Sequence, residues 1–221
     1  SLLGKTPDRL KREKQKQFPL PEVWESQRIQ SENNFRQLKK EYPNWSRLAA
    51  YLQKKDFLLY NNTDAVYFPT GEAFFEDLIA HLEQAQRFIF MEYFIVSDTS
   101  SFREIRDILE RKTKEGVEVR LLYDDVGSVG YVNLAFAKEL NAAGIRCQVF
   151  NPAVPVLNLF LNHRDHRKIA VIDGKVGFTG GYNLSDEYFG RAFPYGKWKD
   201  TGIRLEGAAV RSLTAAFLEM W

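Results

Sequence analysis

Residues 162–188 read NHRDHRKIAVIDGKVGFTGGYNLSDEY, with His166 and Lys168 two positions apart. On extended backbone that spacing points both side chains to the same face. A neutral imidazole is a nucleophile or general base near neutral pH. A neighbouring ammonium is a fixed cation for an anionic oxygen. The pair suits attack on phosphorus better than attack on carbon, because the lysine charge favours a phosphate in the site. Apolar 169–172 then runs through the interior to Asp173. Farther on, Gly180-Gly181 lets the backbone come close to a ligand, and Asn183 adds a neutral amide donor. Asp200 is the best candidate for a carboxylate that holds an imidazole by its other ring nitrogen, fixing the tautomer and stabilising the cation that forms.

His166, Lys168 and Asp173, followed by Gly180, Gly181 and Asn183, match an H-x-K-x4-D signature with a trailing G-G-x-N. The pattern resembles that of the phospholipase D superfamily. Its surroundings, with Trp198-Lys199-Asp200 and Arg204-Leu205-Glu206-Gly207, resemble the first catalytic half of bacterial cardiolipin synthases. So does YFPTGEAFFEDLIAHLEQAQRFIFMEYFIV at 67–96. The resemblance is strong over about 57–221 and weaker over the residues before it. It implies a catalytic signature of His166, Lys168 and Asp173. His166 attacks phosphorus to form a phosphohistidine, or protonates the leaving group if another half supplies the nucleophile. Lys168 and Asn183 bind the phosphoryl oxygens, and Asp200 orients His166. Asp173 is usually structural in the family, at the strand end away from the phosphate. Gly181 stands where many relatives have serine. The resemblance implies no cofactor and no metal.

Members of the superfamily use two such signatures, facing each other, and this sequence has one: His163 is followed by Asp165 and His81 by Glu83. In-line displacement needs groups on both sides of phosphorus. A missing C-terminal half is therefore expected as partner, ahead of a second copy, since the amphipathic run that reaches Trp221 reads as a helix cut short. What the resemblance implies for the whole is a phosphatidyltransferase at the cell membrane, anchored by segments outside this chain, which alone is expected to be soluble and inactive. It would join two phosphatidylglycerol molecules into cardiolipin, so an anionic phospholipid and a membrane surface are the expected partners. The alternatives are a homodimeric phosphodiesterase or nuclease of the same superfamily, and an inert membrane-binding fragment. Nucleic acid is not expected: 31 basic against 29 acidic residues leave only +2, and neither aromatic platforms nor a dense basic groove is evident.

The elements that must hold these residues follow from hydrophobic periodicity. With 44% hydrophobic and 27% charged residues among 221, the sequence has the makings of a packed core. One cysteine, Cys147, excludes an internal disulfide. No apolar run approaches the ~20 residues of a membrane span. Residues 1–56 read as a helical leader, basic over 1–17 and broken at Pro43. Such a basic cluster is either a solvated terminus or a segment drawn to anionic lipid. From 57 onward, strands and helices alternate, the pattern of an α/β domain with a mixed sheet flanked by helices. Residues 58–60 and 65–68 read as a hairpin around Asn61-Asn62, and 88–96 (FIFMEYFIV) as a strand buried on both faces. A helix over 101–115 takes Asp98, Thr99 or Ser100 as its N-cap. Glu92, the one charge in FIFMEYFIV, either positions a site cation or sits in a structural pair. Asp124-Asp125 reads as a loop cap rather than a metal site, His81 as a surface residue and His163 as a loop residue. The apolar stretch 154–161 is either core packing or a lip that admits lipid.

Overall fold

A computed structural model describes residues 21–55, 57–152, 164–194 and 196–221. The basic 1–17 segment, the apolar stretch 154–161 and His163 lie outside the described residues. The chain divides into two compact units, Ser1–Thr63 and Asp64–Trp221.

In the first unit, helix α1 (Pro21–Glu41) opens on a proline, whose fixed φ suits a first helical turn. A 3₁₀ turn at Pro43–Trp45 leads into α2 (Ser46–Gln53). Residues 58–60 form no strand. They lie along α1 instead, with Leu59 N donating to Ser31 Oγ at 2.8 Å and Asn34 Nδ2 donating to Leu59 O at 2.8 Å. Side chains of α1 thus supply the partners that a neighbouring strand would otherwise provide. The hairpin expected there is absent for that reason.

The second unit is a seven-stranded sheet. Its strands are β1 (Thr63–Phe68), β2 (Phe88–Tyr93), β3 (Glu118–Asp124), β4 (Arg146–Phe150), β5 (Ile169–Ile172), β6 (Val176–Gly180) and β7 (Gly202–Gly207), in the order β1-β7-β6-β5-β2-β3-β4. Strands β2, β3 and β4 are parallel, while β5, β6 and β7 join them antiparallel, so the sheet is mixed as expected. Helices α3 (Gly71–Glu83), α4 (Ser100–Lys114) and α6 (Phe136–Ala142) bury Phe74, Leu78, Ile105, Leu109 and Leu140 with one face of the sheet, including Ile89, Met91 and Tyr93 of β2. Helix α7 (Val210–Met220) packs Val210 and Phe217 on the other face, against Phe90, Leu122, Ile169 and Val171. Both faces of the central strands are covered, which is why their sequences run apolar without alternation.

Strand β2 stops at Tyr93 rather than 96. At Phe94 the chain leaves the ladder, because Ile95 N donates to Asn183 Oδ1 at 3.0 Å and Val96 bridges to Leu184. Helix α4 is also capped from a distance. Thr99 occupies the N-cap position without a side-chain bond. The cap is Asp186, whose carboxylate accepts from Ser100 N, Ser100 Oγ and Ser101 N at 3.3, 2.9 and 2.7 Å. Burial pushes Asp186 up, but these donors outweigh it and hold the carboxyl below its ordinary range. Asp186→Ala is expected to cost about 1–2 kcal/mol, read by denaturant unfolding at pH 7. A lowered carboxylate stabilises above its unfolded value and loses that advantage as pH falls through its folded value, so the difference between variant and wild type should shrink in acid.

Register sets the site. Glu92 of β2 pairs with Ile169, Ile169 with Thr179, and Gly180 with Gly202. The carboxyl ends of β2 and β6 therefore meet the starts of β5 and β7 at one edge of the sheet. The carboxyl end of β3 lies on that edge too, the usual place for α/β sites.

Candidate active site

His166 and Lys168 lie immediately before β5, at this edge. The imidazole is exposed, whereas Lys168 is only 6% exposed. Both flank one ring: the His166 and Phe94 centroids are 4.7 Å apart, and Lys168 Nζ lies 5.3 Å from the Phe94 centroid. Phe94 reaches that position because the chain turns out of β2 there. Lys168 Nζ also donates to the His166 carbonyl oxygen at 2.7 Å, and Thr179 Oγ1 donates to Lys168 O at 2.9 Å. Burial lowers the Lys168 pKa to about 8, with the carboxylates of Asp165 and Asp200 opposing the shift. A lysine so placed is still mostly protonated at neutral pH. Its incompletely compensated charge favours an incoming anion.

Asn183 is brought to the same edge but is already engaged. Its Oδ1 holds Ile95 N, and its Nδ2 donates to Tyr188 Oη at 2.9 Å. Among the described residues its second amide N–H has no partner. Asp200 also stands here. Its Oδ1 accepts from Thr201 N at 2.8 Å, and its charge acts on Lys168. Among the described residues no hydrogen bond joins it to His166.

At Gly181 the space of a side chain is taken by a carboxylate. A Cβ there would lie 1.8 Å from Asp200 Oδ1, so the absent side chain makes room for that carboxylate. Gly181→Ala is expected to push Asp200 aside and lower turnover about 10-fold, with a smaller change in Tm, because the obstruction is local to the site. Unchanged turnover would show that Asp200 has nothing to do with the reaction.

Asp173 is placed elsewhere. It lies beyond the far end of β5, in a two-residue turn with φ of +54°, followed by Gly174 at +68°. Its carboxylate accepts from Gln86 N, Arg87 N and Phe88 N at 2.9, 2.7 and 2.9 Å, pinning the start of β2. The third member of the signature thus holds the sheet at the edge opposite His166. His81 is not a plain surface residue: its Nδ1 lies 2.8 Å from Asp77 O and its ring packs edge-on against Phe178. Asp124 caps the short helix α5 (Asp125–Ser128) through Gly127 N at 3.0 Å. It also accepts from Asp165 N at 2.9 Å and pairs with Arg164.

Sequence reasoning missed Phe94, which was hidden in an apolar run, and missed the burial of Asp165. In RDHRK its charge is indistinguishable from a solvated one. Only the lone charge of Glu92 gave a signal.

Residues 78–221 match the family model described as cardiolipin synthase, phospholipase D-like domain. An uncharacterized protein of Streptococcus mutans is 45% identical over 185 residues, 83% of this chain and 40% of the relative. Cardiolipin synthase 2 of Bacillus anthracis is 46% identical over 152 residues, 68% of this chain and 29% of the relative. The chain thus spans less than half the length of these curated relatives. Among solved structures, the phospholipase D family member Nuc from Salmonella typhimurium superposes with a TM-score of 0.54 at 18% identity, over 72% of this chain and 93% of Nuc. That likeness is one of fold.

Proposed function

Because the chain belongs to the family of cardiolipin synthase, phospholipase D-like domains, we propose that it supplies one half of a phosphatidyltransferase site that makes cardiolipin from two phosphatidylglycerols. The observation that carries this reading is the exposed His166 imidazole beside the buried Lys168 ammonium, at the carboxyl edge of the sheet.

A ring nitrogen of His166 attacks the phosphorus of the first phosphatidylglycerol. The bond to the glycerol oxygen breaks, and glycerol leaves with a proton from an acid on the opposite side. Lys168 and the free N–H of Asn183 balance charge on the phosphoryl oxygens as they crowd. The terminal hydroxyl of the second phosphatidylglycerol then attacks the phosphohistidine, loses its proton to the same opposite group, and releases His166 and cardiolipin. That opposite group comes from a second signature, in a C-terminal half or in another copy of the chain. Asp200, acting on Lys168 and Thr201 in this structure, is proposed to steady the imidazole once a phosphate is bound. The partner surface is an anionic membrane. No helix among the described residues is long and apolar enough to cross one.

The test is transfer from phosphatidylglycerol vesicles, scored as cardiolipin and glycerol produced in equal amounts. With the second signature in a C-terminal half, the chain alone should be inert, and adding a half that bears a second His and Lys should restore activity. Lipid transfer by the chain alone would place the second signature in another copy. Nucleic-acid hydrolysis by this chain, rising with the square of its concentration and without lipid transfer, would replace the reading with that of a homodimeric nuclease.

A further inference from the structure

Glu92 projects from β2 onto the α7 face of the sheet, the face opposite Ile89, Met91 and Tyr93. It is fully buried, and among the described residues its carboxyl is held by an ion pair with Arg167 rather than by a well-aligned hydrogen bond. Arg167 Nε lies 2.8 Å from Glu92 Oε1 and 3.2 Å from Asp165 Oδ1. Asp165 is itself 5% exposed. Two buried carboxyl groups therefore share one guanidinium that is itself 35% exposed, with the Lys168 charge acting on Asp165 from the other side. Leu122 and Ile169 pack on this face, and from α7 the Ala216 carbonyl accepts from Arg167 Nη1 at 3.2 Å. Lys168 answers Asp165, but a second, fully buried carboxylate at Glu92 beside Asp165 is costly unless it retains a proton.

Asp165 and Arg167 are also the residues on either side of His166. Asp165 N is held by Asp124 Oδ2, and Arg167 is tied to α7. We infer that Glu92 is a positioning residue for His166: its protonated carboxyl donates to Asp165 and accepts from Arg167, and this latch fixes the short segment from which the imidazole projects. Burial first, and the Asp165 carboxyl second, raise the Glu92 pKa to about 9, in keeping with a retained proton. The inference rests on His166 being the reacting group, and it deepens that reading by naming what aims it.

Glutamine reproduces the donor and the acceptor of a protonated glutamate, and leucine reproduces neither. The experiment compares Glu92→Gln and Glu92→Leu in two settings. In this chain, melting is followed from pH 5 to pH 8, and NMR follows the His166 ring protons, whose shifts are set by the Phe94 ring. A group raised in the folded state takes up a proton on folding, so wild-type stability should fall with pH across this window. The Tm of Glu92→Gln relative to wild type should then rise by about 5 °C or more between pH 5 and pH 8. Its His166 signals should stay in place, while those of Glu92→Leu move toward the values of free histidine. In the complete enzyme on phosphatidylglycerol vesicles, Glu92→Leu should lose roughly 10²-fold in kcat with KM within twofold, and Glu92→Gln should keep most of its kcat.

A folded Glu92→Leu with unmoved His166 signals or wild-type kcat overturns the inference. So does a Glu92→Gln melting difference that ignores pH. Should Glu92→Leu fail to fold, Glu92→Gln decides alone, by its pH dependence and its ring signals. If the wild type makes no cardiolipin, the proposed function falls, while the melting and NMR readouts still judge the latch.

Discussion

If His166 is the nucleophile, as proposed, His166→Asn in the complete enzyme is expected to lower cardiolipin formation by about 10⁴-fold or more, because it removes the group that bonds to phosphorus rather than one that assists it. Asparagine keeps a polar side chain of similar reach but offers no nucleophilic nitrogen. The imidazole is exposed and, among the described residues, makes only a ring contact with Phe94. Little stability is lost with it, so Tm should move by no more than about 2 °C. The measurement pairs vesicle-based turnover with thermal melting. Turnover within tenfold of wild type would remove His166 from the chemistry. A radiolabelled phosphatidyl group should remain on wild-type protein after an acid-free quench and be absent from the variant. Label on both proteins would place the nucleophile in the other half and leave His166 the acid.

Lys168→Met should be the next most damaging change. A buried donor aimed at developing charge is worth on the order of 10²–10³-fold in kcat. The pH dependence identifies it. With its pKa lowered to about 8 by burial, Lys168 should lose its proton above that pH, and kcat/KM should decline along an alkaline limb. Lys168→Arg keeps a charge at every accessible pH, so its activity, though reduced by the different shape, should show that limb pushed out or gone. Stability moves the other way. The unfolded chain binds the lysine proton more tightly than the folded one, so the charged group costs folding free energy at neutral pH and ceases to cost it as pH rises toward 10.5. Lys168→Met should therefore melt no lower than wild type at pH 7. A variant both inactive and several degrees less stable would make Lys168 a packing residue, and the limb near pH 8 would need another owner.

The resemblance carried by 162–188 extends to both the fold and the family, and the mixed sheet with its flanking helices matches the alternation of apolar runs. The two-residue turn at Asp173-Gly174 was legible because the backbone there must take positive φ, which few residue pairs accept. The spacing of His166 and Lys168 announced a shared face, and both do lie against one aromatic ring. Less legible was everything decided by partners distant in the chain. The cap of α4 was sought among Asp98, Thr99 and Ser100, whereas it comes from Asp186, about 85 residues later. The strand expected at 58–60 yields to polar side chains of α1.

Periodicity and residue type by themselves determined which runs build the buried sheet, the tight turn at Asp173-Gly174, and that an imidazole and an ammonium stand together at the start of a strand. These are short-range properties, set by backbone geometry and by the cost of wetting apolar surface. Only the tertiary structure decided which charges lose their water: Glu92 and Asp165 are sealed beneath Arg167, and Lys168 is nearly sealed beside Phe94. It also supplied what Asp173, expected at the far strand end, does there, accepting from three backbone amides at the start of β2, and it decided that Asp200 fills the space left by Gly181. The energy of a charge depends on the dielectric and the neighbours that folding brings to it, and a linear pattern holds neither.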